Sequence, residues 1–203
     1  SMEVIQAGVL GPIREVHVWI SKGCGPSREF DTQADPIPAE LTWDFWGGPS
    51  KVLPFKNHYL GDCVNWGPWL EFGDGYLADM GAHCLNLPWR ALKLTAPLSC
   101  TFKISEPLKD SYPSSSSLRW EFAAREGMPP VTLWWHDGGK SGPPEELGKE
   151  LISTYDKVPD NGALFAGEKG ILFADPTGGG GMVKLKGDAE CRAVQDHEAC
   201  KPV

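Results

Sequence analysis

Long apolar runs are missing from this chain. No stretch approaches the roughly 18 residues that a membrane-crossing helix requires, and Ser1-Met2-Glu3-Val4 has no basic segment leading into an apolar one, so no secretory leader is read there. Positive charge is also scarce. Lys and Arg number 19 against 27 Asp and Glu, a net charge of -8 in 203 residues, and so acidic a surface repels nucleic-acid backbones and anionic membrane surfaces alike. The six cysteines (Cys24, Cys63, Cys84, Cys100, Cys191, Cys200) contain no C-x-x-C pair, a spacing that suits neither a zinc knuckle nor a compact disulfide framework. Reduced thiols in a cytoplasm are the expectation. Ser1 ahead of Met2 reads as the remnant of a cleaved tag, and an excised piece of a longer polypeptide is the expectation.

With 41% hydrophobic and 23% charged residues the chain can bury a core, and it reads as one domain over residues 1–203. Tryptophan is the excess: nine residues need an explanation. Residues 3–7, closed by Gly8 and Gly11, read as the end of a helix, and Ile13–Ile20 as a strand rich in β-branched and aromatic residues. Residues 22–40 read as a loop. Between residues 41 and 74, eight aromatics from Trp43 to Phe72 fall irregularly among Gly and Pro, the pattern of a packed loop or of a cleft wall. Gly75–Leu94 then recurs at three and four, a helix with Asp74 as N-cap and a kink or restart at Pro88.

Strands are expected at 98–104, 118–122, 130–136, 162–167 and 170–174, with a further possible strand near 182–185. Glu168-Lys169 is the two-residue turn of a hairpin, and a short helix is read over 143–151. Strands joined by short polar turns give an α+β fold, an open and mostly antiparallel sheet with helices on one face and its other face in need of a partner.

Phosphate cradles are absent by pattern. Gly178–Gly181 lacks the strand and helix of a dinucleotide fingerprint, and Gly139-Lys140-Ser141 has Trp134 where a P-loop needs its first glycine. No G-x-S-x-G elbow supports a nucleophile. The sharpest constellation is Asp79-Met80-Gly81-Ala82-His83. Residues i and i+4 share a helix face, so a carboxylate there can orient an imidazole for proton transfer, and Gly81 leaves the surface open. A buried, satisfied histidine is the bland alternative. A metal site of Asp79 and His83 with His58 or Asp62 is the rival chemistry; His17, His136 and His197 read as structural or solvated.

Several motifs together resemble the C-terminal domain of the Gfo/Idh/MocA oxidoreductases, the family of glucose-fructose oxidoreductase and inositol dehydrogenase. They are Gly11-Pro12-Ile13-Arg14-Glu15-Val16-His17, Trp43–Pro49, Trp66–Trp69, Phe72–His83 with its D-x-x-x-H, Ser105-Glu106-Pro107, Trp135–Lys140 and Phe165–Gly170, and they extend from residue 3 to about 185. The resemblance implies a substrate-binding and oligomerisation domain whose partner, an N-terminal Rossmann domain holding NAD or NADP, is absent from this chain. No cofactor is then expected on the chain itself. It also implies a sugar or polyol substrate, His83 as proton donor or acceptor, Asp79 as its orienting partner, and a homo-oligomer formed through the sheet face.

Asn65, Trp66 and Trp69 are the candidate substrate contacts, since indoles suit sugar faces. The chain departs from the family at Asn86, where an acidic residue is usual, and at Gly67, where arginine is usual. A carbohydrate-binding or scaffolding module without chemistry is the alternative reading.

Overall fold

Alternation along the first strand sends its side chains to two different cores. In β1 (Ile13–Ile20), Val16, Val18 and Ile20 enter one cluster while Trp19 enters another and His17 lies on the same side as Trp19. The computed structural model describes residues 1–21, 29–106, 109–138, 142–176 and 180–200. Within them β1 is central to an eight-stranded sheet whose spatial order is β2 (Ser99–Ile104), β3 (Ser116–Phe122), β4 (Val131–Asp137), β1, β5 (Asn161–Gly167), β6 (Gly170–Ala174), β7 (Gly181–Leu185) and β8 (Arg192–Ala193). Every neighbouring pair is antiparallel except β1 and β4, which run parallel with His17 opposite Trp134. The sheet is open and the class is α+β, as expected.

Among the described residues six helices accompany it: α1 (Met2–Gln6), α2 (Trp43–Gly47), α3 (Cys63–Trp66), α4 (Gly75–Cys84), α5 (Asn86–Ala91) and α6 (Glu145–Tyr155). The main core joins α1, α4 and α5 to one sheet face through Val4, Ile5, Cys84 and Ala91 against Val16, Leu133, Trp135, Phe165 and Leu172. The expectation of helices on one face alone is corrected by α6. Its Leu151 packs on Trp19, Leu164 and Phe173, so this helix covers the β1–β5–β6 part of the opposite face. Lys184 of β7 pins it there through Glu150 at 2.6 Å.

Of the two outcomes expected at Pro88 over 75–94, a kink or a restart, the structure shows the restart, as two helices. Pro88 has no N–H to offer the Cys84 carbonyl, so the helix breaks at Leu85 and α5 resumes with Trp89 N–H donating to the Leu85 carbonyl at 2.9 Å. The β5–β6 hairpin turns on Glu168-Lys169, with Gly167 opposite Gly170. Gly139-Lys140-Ser141, Gly178-Gly179, Pro107 and the loop holding Cys24 lie outside the described residues. The five described cysteines are free thiols, and no described helix is long and apolar enough to cross a membrane.

Candidate active site

Aromatic residues between 41 and 74 cannot all reach the sheet, so they build a small core of their own. Trp43, Phe55, Tyr59 and Trp69 are buried together, with Phe30, Trp46 and Phe72 packed around them. Phe30 stacks on Trp69 at 4.7 Å and Trp43 on Trp46 at 4.9 Å, while the Trp43 indole N–H donates to the Leu53 carbonyl at 2.7 Å. Lys56 clamps the preceding loop between Asp31 at 3.0 Å and Asp35 at 3.2 Å. Hydrogen bonds to these carboxylates raise the Lys56 pKa, and those from the Gln33 and Asn57 backbone N–H groups lead the lowering of Asp31 and Asp35 respectively.

On the outer side of this cluster a cavity of about 470 Å³ opens between Trp46, Trp66 and Phe72, with Pro49, Ser50 and Glu71 completing its wall. Trp66 ends α3. The helix starts at Asp62, whose side chain accepts the Val64 N–H at 3.2 Å as an N-cap. Its first residue, Cys63, faces the Asp79 carboxylate of α4. The pull of that carboxylate on the thiol proton leads the rise in the Cys63 pKa, followed by burial and then by the charges of Asp79 and Asp62, so the thiol stays protonated at neutral pH. Residues i and i+3 share a helix face about 5–6 Å apart. Cys63 on Asp79 and Trp66 on the cavity therefore set the carboxylate about one helical turn from the indole wall.

Two glycines bring the turn after α3 against the turn before α4. A Cβ on Gly73 would lie 2.5 Å from the Gly67 Cα and 2.6 Å from its carbonyl oxygen, so the two backbones cross at contact. The Gly67 carbonyl then accepts the N–H of Gly75, the first residue of α4, at 3.1 Å. Gly67 is itself buried, and a Cβ there would meet the Cys63 carbonyl oxygen at 2.5 Å. The family's arginine at this position has no room in this packing.

On α4, Asp79 is half-buried and His83 exposed, on the side away from buried Gly81 and Cys84. The pair is separated by about 40° around the helix axis, yet no hydrogen bond joins them among the described residues; the neighbour on which the Asp79 carboxylate acts is the Cys63 thiol. Of the expected substrate contacts, Trp66 lines the cavity. Trp69 does not: it is 3% exposed and belongs to the packed cluster. Asn65 is exposed, and its amide N–H donates to the Leu60 carbonyl at 2.8 Å, bracing the turn into α3. Cys63 escaped sequence reading because 16 residues separate it from Asp79. No three His, Cys, Asp or Glu side chains gather in a metal-holding group among the described residues; Asp62 caps α3, and His58 packs edge-on against Tyr59 at 4.6 Å.

No protein-family model and no curated protein matches the chain. Solved structures do resemble it. An oxidoreductase from Pseudomonas syringae is 16% identical with a TM-score of 0.47, over 95% of this chain and 37% of that one. An inositol dehydrogenase homolog from Azotobacter vinelandii, complexed with NAD+, is 15% identical with a TM-score of 0.49, over 98% and 43%. A levoglucosan dehydrogenase in complex with NADH and levoglucosan is 12% identical with a TM-score of 0.46, over 95% and 42%. The chain spans 37–43% of the length of these three proteins.

Proposed function

We propose that the chain is the substrate-binding domain of a sugar or polyol oxidoreductase that uses NAD or NADP. The observation that carries this reading is the α3 bridge, which joins the Asp79–His83 helix to a cavity walled by two indoles. Indole faces hold the apolar face of a sugar ring while leaving its hydroxyls free for polar groups. His83, exposed on α4, has the freedom to take a proton from a substrate hydroxyl or return it. Asp79, kept in place by Cys63, supplies a fixed acceptor for a neighbouring hydroxyl.

Nicotinamide, the hydride partner of such chemistry, would be carried by a separate Rossmann domain. The sheet face left open by α6 supports a second copy of the chain as partner: half-buried Trp134 stands there with the Arg119 guanidinium 5.5 Å from its ring and the His17 and His136 rings parallel beside it.

The test is nicotinamide-linked turnover of sugars and polyols by the polypeptide that carries this domain. His83→Ala is expected to lower kcat by about 10²–10⁴-fold while leaving cofactor affinity unchanged. A near-normal kcat refutes the assignment of His83. Sugar binding by a polypeptide with no nicotinamide-linked turnover would favour the module without chemistry.

A further inference from the structure

Charge around the cavity is one-sided. Among the described residues its wall contains one ionisable side chain, Glu71, and no Lys, Arg or His. Glu71 is only 21% exposed, held by Lys51 Nζ at 2.5 Å and by the Lys51 backbone N–H at 3.4 Å, while the Ser50 hydroxyl donates to its carbonyl. Lys51 sits on the rim, 77% exposed and already paired. Asp110 acts on both members of the pair, adding to the repulsion at Glu71. One committed cation therefore faces two carboxylates, Glu71 and Asp110.

We infer that the cavity selects uncharged polyhydroxy rings against their carboxylate derivatives, and that Glu71 sets this selection. The inference rests on the reading of the cavity as the sugar-holding part of the site. A neutral hydroxyl donates to the Glu71 carboxylate, whose oxygens each keep a lone pair beyond the one bonded to Lys51, whereas a ring carboxylate placed between Trp46 and Trp66 meets a fixed like charge with no free cation among the described wall residues to answer it. Because Lys51 is bound to Glu71 and to nothing else in the wall, neutralising Glu71 does two things at once. It removes the repulsion and releases an ammonium at the rim.

The experiment is a tryptophan-fluorescence titration of the chain with glucose against glucuronate and galactose against galacturonate at equal ionic strength. In the unmodified protein the neutral sugar of the binding pair is expected to bind at least about tenfold more tightly than its acid. In Glu71→Gln the difference closes or reverses, and in Glu71→Gln with Lys51→Met it settles near parity. Lys51→Met alone, which leaves Glu71 unneutralised, widens the difference and tests the idea independently of how Glu71→Gln folds. An acid that binds the unmodified protein as well as its neutral partner, or a difference unmoved by Glu71→Gln, overturns the inference while leaving the cavity a sugar site. Binding of neither member of either pair overturns the sugar-site reading and the selection with it.

Discussion

Replacing Gly73 with alanine strikes the joint on which the site depends. The added methyl would sit 2.5 Å from the Gly67 Cα, 2.6 Å from its oxygen and 2.9 Å from its carbonyl carbon, all of them backbone atoms. Gly67 cannot recoil, because its N–H is bonded to the Cys63 carbonyl at 2.7 Å and its own carbonyl to the Gly75 N–H at 3.1 Å. The next residues are tied as well: the Pro68 carbonyl accepts the Tyr112 N–H at 2.9 Å, and Trp69 is stacked on Phe30. Overpacking of this kind costs about 1–3 kcal/mol, and loss of the Gly75 hydrogen bond adds about 1 kcal/mol. A destabilisation of about 2–4 kcal/mol corresponds to roughly 5–15 °C in Tm for a domain of this size. Urea and thermal unfolding followed by tryptophan emission measure it. Gly47→Ala is the control, since nothing lies within 4 Å of a Cβ there, and it is expected to stay within about 0.5 kcal/mol. Equal stability of the two variants would refute the close approach of Gly67 and Gly73.

Trp69→Ala is expected to cost about 3–5 kcal/mol as a core truncation, whereas Trp66→Ala leaves stability within about 1 kcal/mol but abolishes sugar binding; unfolding and titration of both variants check the division. Acid should also loosen the sheet's second face. Burial, helped by the charge of His17, lowers the His136 pKa to about 4, and burial likewise lowers His17 despite the opposing pull of Glu15. The unfolded chain therefore binds more protons than the folded one below pH about 6.5, and stability falls as pH drops from there toward about 4. His136 contributes about 1–2 kcal/mol of that loss after allowance for its partial exposure. Urea midpoints at pH 7.5 and 4.5 should converge in His136→Gln, and an unchanged difference would dismiss His136 as the cause.

Local signals carried far along this chain. The hairpin of β5 and β6 was readable because two polar residues separate two β-rich runs, and β1 matched its expected limits because eight residues of β-branched and aromatic character have no other good conformation. The place of β1 between β4 and β5 was not readable. Its parallel pairing with β4 joins residues more than 110 apart in sequence, Val18 to Trp135, and no local pattern encodes such a contact. The side chosen by α6 was hidden for the same reason, since its apolar stripe fits either face of a sheet with apolar residues on both.

At the site, the spacing of Asp79 and His83 on one helix was legible, but their relation was not. Only the fold shows the Asp79 carboxylate turned to Cys63. The aromatic block announced a cluster without ranking its members, because buried Trp69 and cavity-lining Trp66 are two indoles three residues apart in an aperiodic segment. Gly67 read as a missing arginine. In the structure it is a crossing point.

The account stands on α3 resting against α4, and the Cys63 thiol reports that contact directly. In a protein whose other accessible cysteines are replaced by serine, the rate of Cys63 alkylation against pH gives the thiol pKa; Cys84, buried and pushed up to about 11, remains silent. Asp79→Asn removes the carboxylate that holds the proton, so the profile is expected to shift to lower pH, toward the ordinary thiol range. Identical profiles with Asp and with Asn at position 79 would mean that Cys63 does not touch Asp79, and that the indole-walled cavity and the Asp79–His83 helix are not one site.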